Sequence, residues 1–261
     1  MELKPIAINL ADYPDELHPL LSGANLYDSS CSETARVIFI GKDSGYFLKT
    51  APKNSLKQEA VMTKYFNSKG LSAKVLKYIT AQQDFMLTEK INGDDGTAAM
   101  YHMEPERLCD LFAERLVMLH ELDFSDCPVQ NHTARHLENA EHNMRTGNYD
   151  KSHFPDNYGY KSAEEAWAAV EAEGHLLQNN TLLHGDYCLP NIILNDWQFS
   201  GFIDVGLGGV GDHHIDIFWG IWTLFWNLHT HKYRQRFIDA YGRSKVDEEM
   251  LRVVAAVEVF G

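Results

Sequence analysis

Apolar positions alternate with a period near two in the first third of the chain and near 3.6 afterwards. Residues 36–40 and 46–49 are β-rich runs separated by Gly41-Lys42-Asp43-Ser44-Gly45, which predicts a hairpin. Ser55 followed by Gln58 has the form of a capping box, predicting a helix that Gly70 closes. Residues 74–79 and 85–89 read as two further strands. The turn-rich run 92–96 then breaks the pattern. Beyond it, Leu108, Leu111, Phe112, Leu116, Leu119 and Leu122 fall at helical spacing over 106–122. Ser162 with Glu165 makes a second capping box. Residues 127–160 are polar and poorly patterned, and predict irregular structure or short helices. A short apolar run at 181–183 precedes a hairpin-like pair, 191–194 and 199–204, around Asn195-Asp196-Trp197-Gln198. The remainder reads as helix. Its aromatic residues Trp219, Trp222, Phe225 and Trp226 are expected in the helix core. The sum is an α+β fold of two lobes. Residues 1–90 form an antiparallel sheet with one helix, and residues 91–261 form a larger helical lobe, with a hinge near 88–96.

Composition narrows the partners. The 261 residues carry 23 Lys and Arg against 37 Asp and Glu, a formal net charge of −14. That argues against nucleic acid as a partner and is compatible with a cationic small ligand. No apolar stretch reaches the ~20 residues needed to span a bilayer. The nearest, 215–228, is interrupted by Asp216, Gly220 and Asn227. The first residues hold one lysine and no apolar run, so no signal peptide is expected. Cys31, Cys109, Cys127 and Cys188 form no C-x-x-C pair, and His213, His214, His229 and His231 lack the spacing of a metal site. The expectation is a cytoplasmic protein without a membrane partner, monomeric or weakly dimeric.

The candidate chemistry lies in residues 184–191, His-Gly-Asp-Tyr-Cys-Leu-Pro-Asn, followed by Phe202-Ile203-Asp204-Val205-Gly206. Asp186, an amide five residues on at Asn191, and Asp204 thirteen further are the base and hard oxygen ligands that phosphoryl transfer needs. Each piece alone is an ordinary turn sequence. Together, at this spacing and beside apolar strand-like runs, they point to a kinase loop.

These residues resemble the aminoglycoside 3'-phosphotransferases, antibiotic kinases with a protein-kinase-like fold. The likeness is strongest over 181–216, and Cys188-Leu189-Pro190-Asn191 resembles one branch of that family. The resemblance implies that Asp186 is the catalytic base, that Asn191 and Asp204 hold Mg2+, and that Asp216 and Asp212 support the loop. It implies that Lys49 meets the α- and β-phosphates of ATP (or GTP) and pairs with Glu59, with Phe47 stacking on adenine. Ser29 and Ser30 would lie in a loop over the phosphates, Thr88, Glu89 and Lys90 in a hinge bonding the base through its backbone, and Ile193 and Ile203 under the base. For the acceptor it implies an acidic pocket involving Glu258 and Phe260, with Asp150 and Asp156 on a nearby loop. Leu207 and Trp226 stand where the family has polar pocket groups, so a macrolide, amino alcohol or sugar amine is an alternative acceptor to an aminoglycoside. A silent nucleotide-binding module is a third reading, disfavoured because neither the base nor a metal ligand is lost.

Overall fold

The computed structural model describes residues 4–31, 34–149 and 160–261. The chain divides into two compact units, one of Met1–Asp94 with Ile192–Gly206 and one of Asp95–Asn191 with Leu207–Gly261. The division falls after residue 94 rather than 90. The hairpin expected in the helical lobe packs with the first unit instead.

The first unit is built on a six-stranded sheet. Its strands are β1 (Lys4–Pro5), β2 (Asn25–Asp28), β3 (Arg36–Gly41), β4 (Tyr46–Pro52), β5 (Val75–Thr80) and β6 (Gln83–Glu89), in the order β1-β2-β3-β4-β6-β5 and antiparallel throughout. Strand alternation sends Ile38, Ile40, Leu48, Phe85 and Leu87 to one face, where they pack with Tyr13, Leu17 and Leu21 beside helix α1 (His18–Leu21). The opposite face carries Phe47, Lys49 and Met86. Lys49 lies opposite Met86 in the β4–β6 register, and Met86 packs on Ala60 of helix α2 (Lys57–Ser68). That geometry brings α2 over the lysine.

The start of α2 differs from the expected capping box. Ser55 Oγ turns back to donate to the Pro52 carbonyl (2.6 Å), and the Leu56 N–H is accepted by the buried carboxylate of Asp84 (3.0 Å). Gln58 instead donates to the Gly206 carbonyl (2.8 Å). A charged acceptor from β6 replaces the local hydroxyl, a substitution no short sequence window reveals. Gly70 does end the helix, at φ +74°.

After β7 (Asp94–Asp95) the second unit is mainly helical: α3 (Ala99–His102), α4 (Pro105–His120), α5 (His132–Thr146), α6 (Ala163–Glu173), α7 (His214–Leu228), α8 (Arg234–Tyr241) and α9 (Glu248–Glu258). Helix α4 buries Leu108, Phe112, Leu116 and Leu119 against α7 and α8. The second capping box forms in its hydroxyl half, with Ser162 Oγ accepting from Glu165 N–H at 3.2 Å, while the Glu165 carboxylate accepts the Lys161 N–H at 3.0 Å. Helix α5, of 15 residues, is longer than the irregular structure or short helices expected there. Its buried positions are His132, Thr133, Ala140 and Asn143, mostly polar, so no apolar stripe announces it. The run at 181–183 is strand β8 (Thr181–Leu183), paired antiparallel with β11 (Gly209–Gly211). Strands β9 (Ile192–Asn195) and β10 (Gln198–Phe202) form the expected hairpin. Its two turn residues Asp196 and Trp197 sit at φ +47° and +65°, the left-handed pair that suits the strand twist.

Candidate active site

Two groups of polar residues assemble, one in each unit. In the first, Lys49 Nζ donates to Glu59 Oε1 and to Asp204 Oδ1, both at 2.8 Å. Burial works against the ammonium, but Asp204 and then Glu59 outweigh it and hold the Lys49 pKa above the ordinary value. Burial also pushes the Glu59 carboxyl up, offset in part by Lys49. Asp204 sits at φ +55°, an uncommon conformation for a residue with a side chain. Two residues on, a Cβ at Gly206 would come within 3.0 Å of the Glu59 Cβ, so only glycine lets α2 pass this close.

Phe47 shares its sheet face with Lys49 and continues an aromatic row across the strands. It lies opposite Phe39, which lies opposite Tyr27, with ring centroids 5.2 and 6.0 Å apart. Ile193 is buried and Ile203 half-buried in the same unit. Two expected nucleotide contacts are already engaged within the sheet. The Ser30 N–H goes to Asp28 Oδ1 (3.0 Å) and its hydroxyl accepts the Val37 N–H (2.9 Å), tying the loop containing Ser29 and Ser30 to β3. At Thr88, Glu89 and Lys90, the N–H groups of Glu89 and Lys90 donate to the Lys74 and Gly45 carbonyls at 3.1 Å. These residues close the sheet, and their backbone donors at 89 and 90 are not available to a base in this conformation.

In the second unit the segment 184–191 is fastened at nearly every residue. Asp216, fully buried on the first turn of α7, accepts the N–H of His184 (2.7 Å) and of Gly185 (2.8 Å), and His120 Nε2 at 3.1 Å. Burial raises the cost of this charge, but the His120 bond and the backbone donors hold its pKa below the ordinary carboxylate value. Gly185 is at φ +86°, and a Cβ there would meet the Leu207 carbonyl oxygen at 2.1 Å. Tyr187 drives its ring into the core, stacked on Phe112 at 4.4 Å, and its hydroxyl donates to the Phe112 carbonyl (2.7 Å). The Leu189 N–H donates to Thr223 Oγ1 of α7 (3.1 Å). Between these anchors Asn191 uses both amide hydrogens on Asp186, to its carbonyl (3.0 Å) and to Oδ2 (2.9 Å). This fixes the amide orientation and leaves Asn191 Oδ1 as the atom directed elsewhere.

Other expected residues fall in different places. Asp212 does not touch the loop backbone. It accepts the Gln178 N–H (2.8 Å) and both the N–H (2.9 Å) and Nδ1 (2.7 Å) of His214, fixing the entry to β8 and the start of α7. Asp212, His213 and His214 lie close enough to suggest a metal cluster. However, His214 Nε2 already accepts the Asp247 N–H (2.9 Å) and His213 Nε2 bonds the Lys245 carbonyl (2.8 Å). Phe260 is fully buried, edge-on to Tyr149 and Trp167, with its carbonyl accepting from Asn143 (2.7 Å). Its ring is therefore core rather than an acceptor contact. Glu258 Oε1 accepts from His136 Nε2 (3.1 Å) and Trp219 Nε1 (3.2 Å). Asp150 and Asp156 lie outside the described residues. Sequence reasoning missed Tyr187, Thr223 and His120 as loop anchors. Each acts from a distant helix or through a core ring, so only the fold exposes its role.

Residues 32–254 match the model of the phosphotransferase enzyme family, designated APH. A probable aminoglycoside 3'-phosphotransferase of Lactococcus lactis is 48% identical over 260 residues, 99% of both chains. Among solved structures, an aminoglycoside-3'-phosphotransferase of type VIII superposes with a TM-score of 0.76 at 21% identity over 96% of both chains. The Streptomyces rimosus aminoglycoside phosphotransferase APH(3'')-Id, solved with ADP and streptomycin, gives 0.78 at 19% identity over 97% of this chain and 99% of that one. These likenesses establish the kinase-like α+β fold. With the family match over most of the sequence and the near full-length relative, they lead to one conclusion: the chain belongs to the phosphotransferase enzyme family, in its aminoglycoside 3'-phosphotransferase branch.

Proposed function

We propose that this protein transfers the γ-phosphate of ATP to a hydroxyl of an aminoglycoside, the 3'-hydroxyl, and so confers resistance. The observation that carries this reading is the Asp186–Asn191 pair on a loop whose backbone is clamped by a buried carboxylate. Phosphoryl transfer asks the protein for positioning and charge stabilisation more than for covalent chemistry, and that loop holds a carboxylate in one orientation. Asp186 acts as the base that orients the acceptor hydroxyl and takes its proton. Lys49, with its charge reinforced by two carboxylates, holds the α- and β-phosphates. Glu59 keeps the amine in place.

Each of the two proposed donors is of a type that suits magnesium. Asn191 Oδ1 and the half-exposed Asp204 carboxylate are hard oxygens of the type Mg2+ takes beside nucleotide phosphates. Asn191 and Asp204 would hold the ion, which supplies neutralisation of phosphate charge. Phe47 and the apolar Ile193 and Ile203 serve the base. The acidic balance of −14 favours a polycationic acceptor over an anionic one. ADP release measured with kanamycin and neomycin tests the reading: saturable turnover that depends on magnesium is expected. A chain that hydrolyses ATP or stays silent with every aminoglycoside, yet phosphorylates a macrolide or amino alcohol, would overturn the acceptor assignment.

A further inference from the structure

The aromatic residues of α7 do not all pack into the core. Phe218 is buried, but Trp219 and Trp222 are only partly covered and Trp226 is 60% exposed. Their spacing of three and four residues places them in one row along the helix. Trp222 and Trp226 stack nearly parallel, 9° between planes and 5.3 Å between centroids, and Trp219 meets Trp222 edge-on at 5.4 Å. At one end the row reaches a charge, because Trp219 Nε1 donates to Glu258 Oε1. From residue 219 to 226 the helix rises ~10 Å, the scale of two linked pyranose rings.

The position of the row is set by the helix that carries it. Asp216 and Thr223, which hold the backbone of His184, Gly185 and Leu189, form one stripe of α7. At about 100° per residue the tryptophans lie on the neighbouring stripe, roughly 75° round the axis. The same helix therefore holds the catalytic loop from one stripe and carries the indoles on the next. Indole is the strongest aromatic partner for a cation, and its face also accepts the C–H surface of a sugar ring. A saccharide bearing ammonium groups uses both properties.

We propose that Trp222 and Trp226, continued by Trp219 to Glu258, form an aromatic platform that binds the amino-sugar rings of a cationic acceptor and sets acceptor preference. This deepens the aminoglycoside reading and rests on it. Acceptor recognition then rests on the indole faces, with Glu258 behind them held by His136 and Trp219.

Steady-state kinetics of Trp226→Ala and Trp226→Phe, with kanamycin and with ATP as varied substrates, test this. Trp226→Ala should raise the KM for kanamycin by on the order of tenfold, with kcat and the KM for ATP little changed. Trp226→Phe should restore most of the loss, since a ring remains. Turnover by the wild-type chain with an unaltered kanamycin KM in Trp226→Ala overturns the platform and leaves the function standing. A rise in the ATP KM of similar size, or a fall in melting temperature that Trp226→Phe does not repair, also overturns it, since that marks a packing role. No turnover of any aminoglycoside by the wild type overturns both.

Discussion

The two polar groups are held in opposite ways. In the first unit, Lys49, Glu59 and Asp204 are fixed by one another's charges, with a single ammonium between two carboxylates and Asp204 half exposed. In the second unit, Asp186 and Asn191 are fixed through the loop that carries them, by Asp216 and Thr223 of α7 on its backbone and by the loop's own Tyr187 bonded to the Phe112 carbonyl of α4. Ion pairs between side chains can open and exchange partners when a triphosphate arrives. A loop whose N–H groups are bonded to a buried carboxylate cannot move without exposing that charge to an unsatisfied interior. The exchangeable arrangement suits a group that must admit and release nucleotide. The rigid one suits the role of base proposed for Asp186, which must hold its aim.

Mutations can break this contrast from either side. The largest expected effect is on Asp186→Ala, which removes the proposed base and should lower kcat by about three orders of magnitude in a coupled ADP-release assay. Asp216→Asn comes next. The carboxamide accepts only on one side and turns a donor toward an N–H, so the substitution should cost on the order of 2–4 kcal/mol of stability, seen as a lower melting temperature, together with a depressed kcat. Lys49→Ala should act mainly on the nucleotide, raising the KM for ATP roughly ten- to a hundredfold through loss of a charged hydrogen bond to phosphate.

The smallest effect is a pH signature away from both groups. Burial lowers the pKa of His136, but Glu258 outweighs burial and raises it above the ordinary value. A raised histidine pKa contributes stability that is full below the unfolded-state value and fades as pH rises through the folded-state one. The stability gap between wild type and His136→Gln should therefore be wider at pH 6 than at pH 8.5, read as a larger difference in melting temperature at the lower pH. Neighbouring His132 behaves oppositely. Burial, then His136, lowers it to about 4, so it remains neutral in the fold and opposes stability as pH falls below its unfolded value.

Much of this was legible before any coordinates. The loop 184–191 and the hairpin after it are close in sequence, so their turn and strand pattern shows in the spacing, and the strands flanking Lys49 alternate plainly. What stayed hidden depends on partners distant in sequence. Helix α5 buries His132, Thr133 and Asn143, so its inward face looks like surface. The start of α2 is satisfied by Asp84 from another strand, and the local Ser55 signal misleads. Phe260, expected at the acceptor, is sealed in the core, and Trp226, expected in the core, is exposed, because helical periodicity reveals a stripe but not what covers it.

The division of labour between nucleotide grip and chemistry is tested most directly by titrating a non-hydrolysable ATP analogue into Asp186→Ala and Lys49→Ala in a calorimeter. The account predicts that Asp186→Ala binds the nucleotide as tightly as the wild type while Lys49→Ala binds it far more weakly. Loss of nucleotide affinity in Asp186→Ala, with Lys49→Ala unaffected, would contradict it.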